Sequence, residues 1–192
     1  MIENKPEVAI VEAKRTKPQY IVCGIFIFLL IVICGFNYIN LQSHMNSILK
    51  NDPRNLNISV SVHYDKYLNL NTLVYDLKEV SNERSTADVF RVFLQFAESV
   101  KDNKFDVVEL SFNGITKFKM TGVYFNKLGQ EYSTQNPIYT IRTFTENLMK
   151  TNGTKAYSQW TGGLLGVMTR QMEDFNEFNK EWYIKDIVAQ KK

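Results

Sequence analysis

The sequence predicts an α+β fold: one N-terminal transmembrane helix, then a single globular domain with a mixed or antiparallel sheet packed by amphipathic helices. Three patterns predict it. Residues 20–36 (YIVCGIFIFLLIVICGF) are apolar and carry no charge. Residues 55–64 alternate between apolar and polar side chains, the period of a strand with one buried face. After Ser85, and again after Gly163, apolar residues recur at helical spacing.

The apolar segment comes first. No Asp, Glu, Lys or Arg occurs between Lys17 and Lys50, and apolar character continues weakly through Leu41. Spanning the hydrocarbon core takes about 20 helical residues, which Tyr20–Leu41 supplies. Twelve positions from Ile21 to Phe36 are Ile, Leu, Val or Phe, so insertion is favoured by several kcal/mol, at roughly 0.3 to 0.6 kcal/mol each. Lys14, Arg15 and Lys17 precede the segment, and the next basic residues are Lys50 and Arg54. Positive flanks stay cytoplasmic, which puts the tail inside and the domain outside. The run is longer than a signal-peptide core, and no small-x-small site follows Phe36. Ile33 stands where a lipobox before Cys34 would want a small residue.

Cys23, Gly24, Cys34 and Gly35 share one side of this helix, because eleven residues make close to three turns. Small residues let helix backbones approach in lipid, so these four are the candidate helix–helix contact. The organisation expected is a cytoplasmic tail over 1–19, a transmembrane helix over 20–41, a membrane-proximal linker over 42–54 and an extracytoplasmic domain over 55–192. Residues 37–50 can prolong the membrane helix outward until Asn51-Asp-Pro53 breaks it.

In the domain, Leu56, Ile58, Val60, Val62 and Tyr64 form the apolar face of the first strand, and Leu73–Val80 reads as a second. Ser85 and Asp88 have capping-box spacing, with Asp in place of the preferred Glu or Gln. Val89, Val92, Phe93, Phe96, Ala97 and Val100 make one face of the helix that follows. Asn113-Gly114 is a hairpin turn between strands 106–112 and 115–121. Gly122–Tyr132 reads as a short helix, Ile138–Phe144 as a strand and Leu164–Ile187 as a long helix. The last presents Leu164, Val167, Met168, Met172, Phe175, Phe178 and Trp182 in one sector.

Composition narrows the function classes. Thirteen Phe and ten Tyr among 192 residues can build a core. A net charge of +3, scattered along the chain, argues against nucleic acid as partner. Both cysteines lie in the apolar segment, so the domain stands on packing alone, a pattern that leans toward a bacterial envelope. The two histidines, His44 and His63, fall short of the three or four ligands of a zinc site. No nucleophile elbow or P-loop is present. Gly162-Gly-Leu-Leu-Gly166 reads as a helix entrance, Glu173 and Asp174 as surface charges, and Lys117 and Lys119 as the exposed face of a hairpin strand. Asn57-Ile-Ser59 and Asn152-Gly-Thr154 fit the glycosylation pattern, which matters only in a eukaryotic secretory route.

One polar run among aromatics, Tyr132–Pro137 followed by Arg142, could hold a small anion. Gln135, Asn136 and Arg142 are its candidate ligand-binding residues. The leading expectation is a non-enzymatic protein of the bacterial inner (plasma) membrane. It works by protein–protein contact, as an accessory or subunit of a membrane assembly or as a homo-oligomer, with no cofactor and no catalytic or metal residues. The alternatives are an extracytoplasmic anion-binding or sensing domain and a carboxylate-based cell-wall hydrolase, for which no facing pair of acids is recognisable.

Overall fold

The computed structural model describes residues 18–190; the basic flank Lys14–Lys17 and most of the expected tail lie outside the described residues. The chain begins with helix α1 (Pro18–Asn37), passes through a π turn (Tyr38–Gln42) and continues as α2 (Ser43–Asn51). Together they include one helix, Tyr20–Asn51, long and apolar enough to cross a membrane. Only 6% of its most apolar window is buried within the protein, unlike the core helix of a soluble domain. Asp52 leaves helical geometry and its carboxylate accepts the Arg54 N–H at 3.0 Å, fixing the break before Pro53.

The sheet is α+β and mixed, with strand order β1-β2-β3-β4-β5. Strand β1 (Ile58–Asp65) pairs antiparallel with β2 (Asn69–Val80). Helix α3 (Thr86–Ser99) crosses over to β3 (Val107–Phe112), which lies parallel to β2. Strand β4 (Ile115–Thr121) and the short β5 (Met149–Lys150) complete the sheet antiparallel. Ile58, Val60, Val62 and Tyr64 are buried, as the alternation predicts. Leu56 is not: Asn57 adopts a left-handed φ of 64°, which turns the chain before the strand begins. The hairpin at Asn113-Gly114 forms with φ of 49° and 83°. A bulge after Leu110 accounts for the uneven spacing of Ile115, Phe118 and Met120.

Helix α3 carries its capping box: Ser85 Oγ accepts the Asp88 N–H at 3.1 Å, and Asp88 accepts the Ser85 N–H at 3.0 Å. Its apolar face meets α4 (Gly122–Glu131), α5 (Pro137–Phe144) and α6 (Leu164–Asn179) over one face of the sheet. Tyr75, Phe93, Phe96, Phe125, Phe144, Phe178 and Trp182 are fully buried there. Most of these rings meet tilted or edge-to-face, the favoured aromatic geometry.

Two further expectations are corrected. Residues 138–144 form helix α5, not a strand. Asn136 accepts the Ile138 N–H at 2.9 Å as N-cap and Pro137 occupies the first turn, so two helix-start signals override the β-branched composition. In the last helix, Leu164 is exposed, Met172 is 38% exposed, and Val167 and Met168 are only half-buried. Burial starts at Gln171 and Phe175 because the first two turns overhang the domain. A second π turn (Lys180–Ile184) then leads into α7 (Lys185–Gln190). It turns both Trp182 and Tyr183 inward, and Trp182 Nε1–H donates to the Ser111 carbonyl at 3.0 Å.

Candidate functional site at the helix–domain junction

Strand β1 is an edge of the sheet, so its outer N–H and C=O groups lack strand partners. The N-terminal helix supplies them through two side-chain amides. The Tyr64 N–H donates to Asn37 Oδ1 at 2.9 Å, and Asn37 Nδ2 donates to the carbonyls of Tyr67 and Ile33, each at 2.9 Å. One turn further, the Val62 N–H donates to Gln42 Oε1 at 2.7 Å, and Gln42 Nε2 donates to the Val60 carbonyl at 3.2 Å. The two amides imitate the missing strand.

The π turn explains how both reach β1. In an α-helix, residues five apart point about 140° away from each other. The i→i+5 bond from the Ser43 N–H to the Tyr38 carbonyl adds a residue to the turn and brings 37 and 42 onto one side. Leu41 and Met45, both fully buried, carry the same helix into the core. Residues 42–54, read from the sequence as a linker, therefore contribute core side chains and edge-strand partners. Asn37 is 3% exposed, so an unpaired amide there would be costly.

The helix runs antiparallel to β1, which brings the β1–β2 turn alongside the end of α1. Phe36 stacks on Tyr64, with centroids 5.9 Å apart, and His63 stacks on Tyr67 at 4.7 Å and 7°. His63 Nδ1 lies 2.8 Å from the Tyr64 carbonyl, an acceptor only, so Nδ1 carries a proton. Cys34, Asn37, Tyr38, His63 and Tyr67 line an open hollow of about 290 Å³ here.

Elsewhere the candidates are dispersed. Arg142 Nε donates to Gln171 Oε1 at 2.9 Å, and Gln171 Nε2 donates to Glu146 at 2.6 Å, a chain that ties α5 to α6. Asn136 caps α5, and Gln135 Oε1 accepts the Asn136 N–H at 3.0 Å. These three side chains are held by different partners rather than gathered on one point. Arg142 does not line the hollow of about 470 Å³ between α4 and α5, whose walls include Tyr124, Lys127, Glu131 and Tyr139. On the helix, Cys23 is exposed, a Cβ on Gly24 or Gly35 would meet nothing within 4 Å, and Cys34 faces the junction hollow.

The polar face of the sheet holds two carboxylates that the sequence reading did not pair. Asp76 is bonded by Lys78 and accepts the Gly114 N–H at 3.0 Å. Glu109 is paired with Lys119 at 2.8 Å and accepts the Thr116 hydroxyl at 2.9 Å. Each acid has its own lysine, so the cluster is a neutralised ion-pair network. Among the described residues, no group of three His, Cys, Asp or Glu could hold a metal ion. The junction was not legible beforehand: Asn37 and Gln42 are five apart, a spacing that belongs to neither helix nor strand. The nearest signal was two amide side chains interrupting an apolar run.

No family model, curated protein or solved structure matches this chain.

Proposed function

We propose that the protein is a single-pass membrane protein whose domain acts by contact with other proteins, as an accessory or subunit of a membrane assembly. The observation that carries this reading is the unbroken helix Tyr20–Asn51, apolar and unburied at its start and built into the domain core at its end. A domain attached by a flexible linker samples many orientations. Here the amides of Asn37 and Gln42 fix the domain to its anchor, an arrangement suited to holding one surface at a set height and angle above a bilayer. The basic flank Lys14–Lys17 favours a cytoplasmic N-terminus and an extracytoplasmic domain, at the plasma membrane of a bacterium. A cut that took Asn37 away with the apolar segment would leave the Tyr64 N–H unpaired, which supports retention of the helix through Asn37.

The test has two stages. The full-length chain should stay with membranes through an alkaline wash, and an added C-terminal tag should be digested by external protease in intact spheroplasts. Mild crosslinking in native membranes should then give discrete higher-mass species. A chain recovered in the supernatant refutes the anchor, and a chain recovered only as a monomer refutes the assembly role.

A further inference from the structure

The turn joining β1 to β2 ends the domain on the side where the apolar helix emerges. We propose that this turn is a second membrane contact: Tyr67, Leu68 and Leu70 insert into the outer lipid interface beside the anchor helix. The inference rests on the membrane-spanning reading above.

Its height follows from the junction. A hydrocarbon core about 30 Å thick takes about 20 residues at 1.5 Å each, so a span starting at Ile21 reaches its outer boundary near Asn40. The turn is bonded to the helix below that level, through Asn37 Nδ2 to the Tyr67 carbonyl at 2.9 Å. Cys34 and Tyr67 line the same hollow. The tip therefore lies at the depth of residues 34–38, where aliphatic chains meet headgroups.

Its chemistry fits that depth. Tyr67, Leu68 and Leu70 are 45%, 67% and 47% exposed, an apolar cluster that nothing in the domain covers. Tyrosine belongs at the interface, with its ring in the apolar layer and its hydroxyl in water. Lys66 can extend its ammonium to lipid phosphates from the same turn. The turn also holds Lys66 and Tyr67 at φ of 49° and 64°, a left-handed conformation that residues with a Cβ rarely adopt. The Leu68 N–H to Asp65 carbonyl bond at 3.2 Å and the His63–Tyr67 stack maintain it. Asn-Gly makes the two-residue turn at Asn113-Gly114, but in this three-residue turn it would present no ring, aliphatic chain or ammonium.

The occupant is lipid rather than a protein because the contact is continuous with the apolar helix. Phe36, stacked on Tyr64, and Tyr38, which lines the same hollow as Tyr67, are exposed beside it on the anchor.

Depth-dependent fluorescence quenching tests this. The full chain carries an environment-sensitive label at Leu68→Cys, in a Cys23→Ala/Cys34→Ala background. It is reconstituted into phosphatidylcholine–phosphatidylglycerol vesicles with a nitroxide on the upper acyl chain. Two references are needed: a chain labelled only at native Cys23, and one labelled at Glu83→Cys at the far end of β2, about 35 Å away along the strand. Quenching at Leu68→Cys should approach that at Cys23 and exceed that at Glu83→Cys at least about twofold, as for a group buried at the headgroup–acyl boundary. Leu70→Cys, labelled in the same background, repeats the measurement from the second strand if the first variant folds poorly. Quenching at Cys23 with none above the Glu83→Cys level at either leucine position overturns the lipid contact alone. An unquenched Cys23 overturns the anchor, and the lipid contact with it.

Discussion

The side-chain carbonyl of Asn37 accepts the backbone N–H of Tyr64 at 2.9 Å, joining the last residue of the apolar helix α1 to the edge of the sheet. This bond does for β1 what a neighbouring strand would do. Because Gln42 repeats it at Val62, the contact resists rotation of the domain about the helix.

Asn37→Leu should destabilise the domain by about 1–3 kcal/mol, since it leaves a buried N–H without a partner. Gln42→Leu should act similarly, and the double variant should depart from additivity because both amides serve one edge. Chemical unfolding of the detergent-solubilised full chain measures all three. A wild-type midpoint for Asn37→Leu would mean that water replaces the amide and that the clasp is dispensable.

Gly129 and Gly166 should respond oppositely to alanine. A Cβ on Gly129 would fall 2.3 Å from the Ala97 carbonyl oxygen, where α4 crosses α3, and only backbone movement relieves that clash. A Cβ on Gly166 meets nothing within 4 Å. Gly129→Ala should cost about 1–3 kcal/mol through overpacking. Gly166→Ala should add up to about 1 kcal/mol through helix propensity. Thermal melts of the two variants against the parent decide the matter, and equal shifts would contradict the packing described.

Tyr75 lies fully buried among Phe93, Phe96 and Trp182, and its hydroxyl has no protein partner among the described residues. Burial pushes its ionisation far above the ordinary phenol range. Tyr75→Phe should therefore be neutral or stabilising by up to about 1 kcal/mol. Trp182→Phe should be destabilising, because it strands the Ser111 carbonyl that the indole N–H satisfies. A large loss in Tyr75→Phe would show that the hydroxyl is bonded in solution.

The capping box should be visible as a pH effect. Hydrogen bonding from Ser85, and then from Arg91, holds the Asp88 carboxyl down at about 2. A carboxyl depressed in the folded state stabilises above its ordinary pKa near 3.8 and loses that contribution as pH falls through about 2. The stability gap between wild type and Asp88→Asn should thus be constant near neutrality and narrow between about pH 4 and pH 2. Ser85→Ala should cost about 0.5–2 kcal/mol at neutral pH. A gap that stays constant down to pH 2 would remove the cap from the account.

Much of the fold could be read from the chain because its signals are local. The period of Ile58–Tyr64, the Asn113-Gly114 turn and the Ser85–Asp88 box each encode one element in a few adjacent residues. Residues 138–144 misled because Ile, Thr and Tyr favour strands, while the deciding signals, Asn136 and Pro137, lie just before them. The stripe Leu164–Met172 misled in another way: amphipathic spacing shows that a face is apolar but not how far the domain extends beneath it. Of the proposed ligand residues, Arg142 is engaged by Gln171, twenty-nine positions away, a tertiary pairing that no local pattern encodes. The junction was hidden for the same reason, since its two amides answer to a strand about twenty to thirty residues downstream.

The fixed attachment of the domain to its N-terminal helix is tested most directly by the distance between spin labels at native Cys23 and at Glu83→Cys, with Cys34→Ala, in lipid nanodiscs. Glu83 lies near the end of the helical arm, where Arg84 donates to the Arg54 carbonyl. At 1.5 Å per residue the separation should be roughly 40–50 Å. A single narrow distribution, broadened by adding Asn37→Leu and Gln42→Leu, is the predicted result. A broad or multi-peaked distribution in the parent chain would show a hinge at residues 37–42 and contradict the account.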